Sequence, residues 1–175
     1  MAILGVDDFK SKLKKGGARP NLFKAVVNFP TFAGGNTELT SFLCKAAQLP
    51  GSVIGMITVP FRGRQLKLAG DRTFEDWSIT VINDVDMTIR NAFERWMNGI
   101  NQHFTNTGLS NPVDYQVDMS VEQLDKEGDT TKKYDLRGVF PTNISPIELS
   151  SDSTDTIEEF QITLAYQYWE SDTTT

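Results

Sequence analysis

The stretch from Ile157 to Trp169, "IEEFQITLAYQYW", alternates apolar and polar residues along nearly its whole length. A period of two residues is typical of a β-strand with one buried face, because successive side chains of a strand point to opposite sides of the sheet. The stretch therefore predicts a long strand. Its apolar side carries Phe160, Ile162, Leu164, Tyr166 and Tyr168, and its polar side carries Glu159, Gln161, Thr163, Ala165 and Gln167.

The same period recurs elsewhere in the chain. In "VDYQVDMSVEQL" at 113–124, the apolar side holds Val113, Tyr115, Val117, Met119 and Val121. Shorter strands are predicted in "NLFKAVVNF", "ELTSFLCKA", "SVIGMITVPF", "RQLKLA" and "WSITVIN". Turn residues such as Gly34-Gly35 and Pro50-Gly51 separate them, and the polar region around Gly128 predicts a hairpin tip.

One segment, "VDMTIRNAFERWMNGINQHF" at 85–104, has a helical period instead. Its apolar residues fall on one stripe, which predicts a helix at about 86–104. Asp84 or Asp86 is the expected N-cap, and Gly108 lies beyond the far end. We therefore predict a mainly β (α+β) fold, a two-sheet sandwich or barrel with one flanking α-helix. The stripe consists of Ile89, Phe93, Trp96, Met97, Ile100 and Phe104.

The length of 175 residues suits a single domain with a core of its own. We expect an N-terminal arm at 1–18, one β domain at 19–170 and a short tail at 171–175. The single cysteine, Cys44, allows no disulfide within the chain, which is compatible with a reducing compartment. No apolar stretch approaches the roughly 18 to 20 residues of a transmembrane helix, so we expect no membrane insertion.

The net charge of −6 is unevenly distributed. Residues 1–24 have a balance of +4, and residues 147–175 have a balance of −7 with no lysine or arginine. Two interpretations are open: two solvated tails, or copies of the chain that meet end to end through opposite charges. Because the chain is acidic overall and has no basic stripe, a grip on nucleic acid phosphates is not expected.

The residue types that most enzymes require are sparse. The one histidine, His103, lies near the predicted end of the helix. Cys44 has no basic neighbour beyond Lys45 and no helix start beside it, which favours a buried core thiol over a reactive one. The chain contains no Walker-type phosphate loop, no dinucleotide-binding glycine pattern and no zinc-ligand spacing. We therefore expect no catalytic site, no metal and no cofactor.

The stretch "AGDRTFEDW" at 69–77 concentrates charge ahead of a strand. Its carboxylates Asp71, Glu75 and Asp76 could do general acid and base chemistry if one of them were held protonated. The simpler interpretation is a fastening, in which charge-assisted hydrogen bonds from this turn hold a loop or a neighbouring chain.

Four stretches closely resemble the tail tube protein of contractile-tailed, T-even-like bacteriophages. They are "ARPNLFKAVVNF" at 18–29, "CKAAQLPGSVIGMITVPFRGRQLKLAGDRTFEDWSITVIND" at 44–84, "GVFPTNISPIEL" at 138–149 and "EFQITLAYQYWE" at 159–170. The resemblance covers nearly the whole chain. It implies a structural virion protein without enzymatic activity, whose hexameric rings stack into the inner tube of the tail and form a conduit for DNA ejection.

The resemblance also implies the partners and the location of the protein. The partners would be further copies of itself, the tail sheath protein, the tape measure protein, and the baseplate hub and tail terminator proteins. Genomic DNA would pass through without specific binding, and the tube would be assembled in the host cytoplasm and reside in the virion. The resemblance implies kinship with type VI secretion tubes, so a tube of a type VI-like secretion or extracellular contractile injection system is the alternative function.

Residues for these contacts can be predicted from charge and pattern. "SVIGMITVPF" and "RQLKLA" flank the tight turn Arg62-Gly63-Arg64 and would project as an arm that joins subunits. The N-terminal segment that carries Lys10, Lys12, Lys14 and Lys15 is called the basic leader here. Its apolar residues Val6, Phe9 and Leu13 have helix-like spacing, and it would meet the acidic C-terminal end of a neighbouring copy. Expected contacts between subunits or rings are Lys10, Lys12, Lys14, Arg62, Arg64, Asp71, Arg72, Glu75, Asp76 and Glu170. Polar residues of the alternating strands are expected to face the bore, and the open alternative is that they face the sheath or bulk water on the outside. The residues among which bore-lining ones are expected are Asp114, Gln116, Asp118, Glu159, Gln161 and Gln167.

A different class of function remains open on the sequence. A monomeric binding module for carbohydrate or peptide would need a concave aromatic site, and the tryptophans Trp77, Trp96 and Trp169 are its candidates. All three lie on apolar stripes or at strand ends, which favours packing in the core.

Overall fold

The computed structural model describes residues 5–13 and 16–174. The α-helices and β-strands begin and end as follows: α1 Val6–Lys12, β1 Phe23–Val26, α2 Thr37–Leu43, β2 Cys44–Ala47, β3 Ser52–Phe61, β4 Arg64–Phe74, β5 Trp77–Ile82, α3 Thr88–Ile100, α4 Pro112–Tyr115, β6 Val117–Leu124, β7 Thr130–Ile144, β8 Glu159–Ala165 and β9 Tyr168–Ser171. A 3₁₀ turn spans Thr31–Ala33.

Seven strands form one antiparallel ladder that folds into two layers. The order is β1-β6-β7-β8-β5-β2, and β9 pairs with β7 beside this path. The first part of β7 pairs with β6 and β9, and its last part pairs with β8. Strand β7 therefore belongs to both layers, which we call the β6 layer (β1, β6, β7, β9) and the β8 layer (β7, β8, β5, β2).

The inner faces of both layers contribute to one hydrophobic core. Met119 and Leu136 enter it from the β6 layer, and Ile79, Phe160 and Leu164 enter it from the β8 layer. The alternation predicted for β5 and β8 is observed, since the burial of their residues alternates along each strand. The predicted mainly β fold with two packed sheets is thus confirmed.

Helix α3 closes one side of the core with Ile89, Phe93 and Trp96. The predicted N-cap, Asp84 or Asp86, is wrong: Met87 occupies the N-cap position in a left-handed conformation. The Asp84 Oδ1 nevertheless accepts a hydrogen bond from the Thr88 N–H at 2.9 Å. The helix is shorter than the predicted 86–104, and Phe104 is 96% exposed. The cause lies in the following loop, which turns back on the helix: the Leu109 N–H donates to the Gly99 carbonyl at 3.1 Å.

Two segments predicted as strands are helical at their start. Thr37–Leu43 forms α2, because the Asn36 side chain accepts a hydrogen bond from the Leu39 N–H and caps the helix. Only Cys44–Ala47 continues as the strand β2. Pro112 opens the short helix α4 at its first position, which proline favours, so Val113 is exposed and the following strand begins at Val117.

The strand predicted across 157–169 is divided into β8 and β9. The break lies at Tyr166 and Gln167, where the Gln167 N–H donates to the Arg137 carbonyl at 2.9 Å. Tyr168 is consequently exposed rather than part of the core. Ser171, predicted to start the C-terminal tail, is the last residue of β9 and is buried.

The predicted hairpin tip is present, with Gly128 at φ 89° between β6 and β7. No helix in the described part of the chain is long and apolar enough to span a membrane.

Candidate assembly surfaces

Strands β3 and β4 form a hairpin that stands apart from the two-layer body. They pair only with each other, in a separate two-stranded sheet, and every residue of β3 is exposed. Two residues, Arg62 and Gly63, make the turn with φ angles of 48° and 81°. At about 3.3 Å per residue, the hairpin is about 33 Å long. We call this hairpin, residues 52–74, the arm.

The outer half of the arm has one apolar face. Ile57 pairs with Leu68, and Val59 pairs with Leu66, so these side chains lie on the same side. Thr58 and Lys67 pair on the opposite side. The apolar face consists of Ile57, Val59, Phe61, Leu66 and Leu68, which are between 40% and 66% exposed. An isolated hairpin is marginally stable, and its two free edges can each pair with another strand. The apolar face and both edges of the arm are therefore available for contact with another molecule.

The predicted contact residues on the arm lie apart from one another. Arg62 and Arg64 are at its tip, whereas Asp71 and Arg72 are near its base, beside a register shift opposite Gly55. None of these four takes part in an ion pair among the described residues. The predicted charge clamp within "AGDRTFEDW" therefore does not form inside the subunit, and the arm remains basic, with Arg62, Arg64, Lys67 and Arg72 against Asp71.

Aromatic side chains fasten the base of the arm to the body. The Trp77 indole N–H donates to the Gln48 carbonyl at 2.6 Å, and the Trp169 indole N–H donates to the Gly51 carbonyl at 3.1 Å. Phe74, the last residue of the arm, lies 6.4 Å from the Trp169 ring, centre to centre. Within the subunit, this stretch is thus fastened by Phe74 and Trp77, and a contact of its carboxylates with a neighbouring chain stays a prediction. Phe74 and Trp169 were missed because sequence shows no reason for them to meet.

Glu75 and Asp76 lie exposed at the end of the arm, near the buried hydroxyl of Tyr166. Burial raises the pKa of Tyr166, and the charges of Asp76 and Glu75 raise it further. The Tyr166 hydroxyl has no hydrogen-bond partner in the described structure. Glu75 and Asp76 thus affect the pKa of Tyr166 through their negative charge, without a hydrogen bond to its hydroxyl.

Four acids of the C-terminal segment already have partners within the subunit. Glu158 accepts from Asn83 at 3.0 Å, and Glu170 pairs with Arg137 at 3.1 Å. Glu159 pairs with Lys45, and Asp172 pairs with Lys132. The acidic end is therefore less available to a neighbour than its charge count indicates.

Asp118, Arg137 and Glu170 form a network that ties β6, β7 and β9 together. Arg137 donates to Asp118 at 2.7 Å and to Glu170 at 3.1 Å, and the Gly138 N–H donates to Asp118 at 3.0 Å. Burial by itself would raise the pKa of the Asp118 carboxyl, but the hydrogen bonds from Gly138 and Arg137 and the charge of Arg137 outweigh it and lower the pKa. Asp118 therefore links β6 to β7, and Arg137 extends the network to Glu170 of β9.

The residues predicted to face the bore lie on both outer surfaces of the body. Gln116 and Gln167 flank Gly138 on the outside of the β6 layer, near Asp118. Glu159 and Gln161 lie on the outside of the β8 layer. Because the two layers enclose one core, their outer surfaces point in opposite directions. Asp114 lies in α4 rather than on a strand.

The basic leader contains the predicted helical segment. Helix α1 carries Lys10 and Lys12, while Lys14 and Lys15 lie outside the described residues. None of its residues is buried, and Val6, Phe9 and Leu13 are exposed. The helix therefore adds nothing to the core of its own subunit.

The residues considered for chemistry are positioned as follows. Cys44 is buried, as predicted, and burial raises the pKa of its thiol to about 11. His103 is exposed. Trp77 and Trp96 lie in the core, as predicted, and Trp169 packs against it. At the tip of β6 and β7, the Asp125 carboxylate accepts the N–H groups of Glu127 and Asp129 and thereby closes the turn.

The chain is similar to known proteins over nearly its whole length. Residues 18–172 match the family model of phage tail tube proteins. The chain is 37% identical over 168 residues to the tail tube protein gp19 of Enterobacteria phage T4, and the match covers 94% of this chain and 99% of the relative. It is 33% identical over 165 residues to the tail tube protein of Serratia phage KSP90, covering 92% and 93% of the two chains.

Among solved structures, the fold is similar to a chain of the PVC sheath-tube complex, an extracellular contractile injection system, in the extended state. The TM-score is 0.62 at 15% identity, and the match covers 96% of this chain and 97% of the other. At this identity the likeness concerns the fold. On the family model and the two phage relatives together, the chain belongs to the phage tail tube protein family and is a structural component of the virion tail.

Proposed function

We propose that six copies of the chain form a ring, and that the rings stack into the inner tube of a contractile tail through which the genome leaves for the host cell. The observation that carries this proposal is the arm, whose apolar face and free edges have no partner within the subunit. Each arm would be covered by a neighbouring copy, which joins subunits without an extra protein.

The proposed partners follow from this role. They are the tail sheath protein on the outside, the baseplate hub and the tail terminator at the two ends, and the tape measure protein and DNA in the bore. The fold likeness to a chain of a solved sheath-tube complex supports a sheath contact. The role is mechanical, so we propose that the protein has no enzymatic activity.

For the bore, we propose the outer surface of the β8 layer, with Gln161 and Glu159 among its lining residues. This surface also carries small polar side chains, Ser78, Thr80 and Thr163, and its Glu159 is neutralised by Lys45. A neutral polar surface offers DNA no phosphate grip, so the polymer can slide. Gln116, Asp118 and Gln167 would then lie away from the bore.

For the stacking of rings, the predicted contribution of the basic leader stays a proposal. Lys10 and Lys12 are on an exposed helix, so they are available to another copy. Because Glu158, Glu159, Glu170 and Asp172 have internal partners, the leader would need acids elsewhere on that copy.

A tube of a contractile injection system is the second candidate, supported by the fold likeness to a chain of the PVC complex. Both functions need the same ring and stack. The genes beside the coding sequence distinguish them, because a phage tube is encoded with capsid and terminase genes.

The arm is tested by the double variant Arg64→Glu with Asp71→Ala. Both residues are exposed and have no ion pair in the described part of the subunit, so the variant should melt like the unmodified protein. We expect it to form neither rings nor rods, as seen by negative-stain microscopy and sedimentation. The matched control is Lys126→Glu with Asp86→Ala, which changes the same charges on the body and should assemble normally. Normal rods from the double variant Arg64→Glu with Asp71→Ala would refute the joining role of the arm.

A further inference from the structure

The tip of the arm combines two properties that require a particular kind of surface. It is apolar, since Phe61 and Leu66 are exposed there, and it is cationic, since Arg62 and Arg64 flank Gly63. The partner surface must therefore offer both apolar side chains and carboxylates that are not already paired.

The backbone of the turn does not favour arginine at position 62, so Arg62 is of interest for its side chain. Arg62 adopts φ 48°, in the left-handed region where asparagine, aspartate or glycine is favoured. Its guanidinium lies over the Phe61 ring, 5.3 Å from the centre, and so is presented together with that ring.

One loop of the same chain offers the matching surface. It connects β7 to β8, residues 146–158, and we call it the acidic loop. Its Glu148, Asp152 and Asp155 take part in no ion pair among the described residues, in contrast to the acids that follow in β8 and β9. Leu149 and Ile157 of this loop are 81% and 71% exposed.

The acidic loop also contains a recess. A concavity of about 320 Å³ has a mostly polar lining that includes Glu148 and Glu158 together with Leu149 and Ile157, and Asp152 and Asp155 are not among its lining residues. The loop thus offers carboxylates beside apolar side chains, as the tip of the arm combines guanidinium groups with apolar side chains. Arginine binds carboxylates through paired hydrogen bonds, which gives such a contact a defined orientation.

The arm and the acidic loop leave the body at opposite ends of the same layer. Trp77, directly after the arm, pairs with Leu164 of β8, whereas Ile82 pairs with Glu159, directly after the acidic loop. Five residues of strand separate these ends, about 17 Å. A contact between them in different copies is a head-to-tail contact, which uses different surfaces on its two sides and can repeat along an assembly.

We propose that the tip of the arm docks on the acidic loop of another copy, with Arg62 and Arg64 against Glu148, Asp152 and Asp155, and Phe61 and Leu66 against Leu149 and Ile157. The proposal rests on the proposed tube function and adds to it the surface that receives the arm.

Two charge-reversed chains test the pairing. The first, the arm variant, carries Arg62→Asp and Arg64→Glu, in which aspartate suits the left-handed position. The second, the loop variant, carries Glu148→Lys, Asp152→Lys and Asp155→Asn, the last because Asp155 adopts φ 59°. Single reversals on the body, Lys126→Glu and Asp86→Lys, are the matched controls.

Each reversed chain alone should lose assembled protein by at least about tenfold, since many weak pairs repeat around each ring. An equimolar mixture should recover it, because each reversed arm then finds a reversed loop on the other chain. Melting curves and circular dichroism should show both variants folded, and the controls should assemble like the unmodified chain.

Three outcomes would overturn the pairing. If both variants assemble alone, neither surface is required. If only the loop variant fails, the acidic loop meets another surface, such as the basic leader. If both fail and the mixture also fails, the two surfaces do not meet each other. Failure of the unmodified chain to form rings would refute the proposed function itself, a result visible before any variant is mixed.

Discussion

Asp118 is a single residue whose carboxylate links β6 to β7. Its carboxylate accepts hydrogen bonds from Arg137 and from the Gly138 N–H, and these lower its pKa against the opposing effect of burial. Because the folded state lowers the pKa, the charged carboxylate stabilises the fold above the unfolded pKa of about 3.9, and this contribution is lost as the pH falls through the folded value.

We therefore expect Asp118→Asn to lower the free energy of unfolding at pH 7. The difference from the unmodified protein should shrink below about pH 4, where the native carboxyl also becomes neutral. Urea unfolding at several pH values measures it. Asp86→Asn is the control, since Asp86 is exposed and its carboxylate accepts no hydrogen bond in the described structure. A deficit that stays constant down to pH 3 would contradict this account.

Sequence indicates single residues well when the reason is local. The burial of Trp77 and Trp96 follows from the apolar stripes on which they lie and was predicted correctly. The contacts of Phe74 with Trp169 and of Arg137 with Glu170 join positions far apart in the chain. No local pattern contains them, because they depend on which strands pair.

At the scale of elements, the base of the arm sets how the arm leaves the body. The Trp169 indole N–H donates to the Gly51 carbonyl one residue before the arm begins, and the ring packs near Phe74 at the end of the arm. Trp169 thus holds both strands of the arm at their exit. It lies only partly buried at the margin of the core.

We expect Trp169→Phe to slow polymerisation much more than it lowers stability. The lost hydrogen bond contributes on the order of 1 kcal/mol to folding, whereas a loosely held arm pays its ordering entropy at each docking event. Thermal unfolding and light scattering measure the two effects.

The matched control is Trp96→Phe, which removes an indole hydrogen bond to Tyr115 of 2.8 Å within the fully buried core. It should lower the melting temperature more and leave the polymerisation rate of the folded protein unchanged. Equal effects of the two variants on polymerisation would mean that Trp169 acts only through stability.

Strong period-two patterns gave the correct element type for β5, β6 and β8, since alternation fixes a buried face directly. The pattern failed where a cap overrides it. In Thr37–Leu43, the Asn36 cap begins a helix, and Leu39, Phe42 and Leu43 also have helical spacing. In Pro112–Tyr115, proline at the first helical position begins a short helix, so the predicted strand starts only at Val117.

For the whole molecule, the two-layer fold decides which predicted bore residues can share a surface. We expect Gln161 to line the bore and Gln116 to lie outside it. With cysteine at either position, a maleimide too bulky for the bore should label position 116 but not position 161 in assembled tubes. A small maleimide should label both.

Free subunits provide the control, because both positions should then react with either reagent. The native Cys44 adds little background, since burial raises its pKa to about 11 and leaves the thiol protonated at neutral pH. Rapid bulky labelling of position 161 in intact tubes would place the β8 layer on the outside.

The two packed sheets and the flanking helix could be predicted, because amphipathic periods report buried faces wherever those faces end up. Strand order could not be predicted from the same patterns, since many pairings satisfy them. For this reason the bore residues were predicted as one set, although Gln116 and Gln161 lie on opposite outer surfaces.

Strand β7 has a mechanical consequence for the proposed role inside a contracting sheath. It runs for 15 residues and passes from one layer into the other, with a left-handed residue, Gly138, on the way. A force that shears one layer past the other is therefore carried partly along covalent bonds of the main chain. The antiparallel hydrogen bonds of β7 to β6, β9 and β8 share the remaining load, so the wall of the subunit resists tearing where side-chain packing alone would yield.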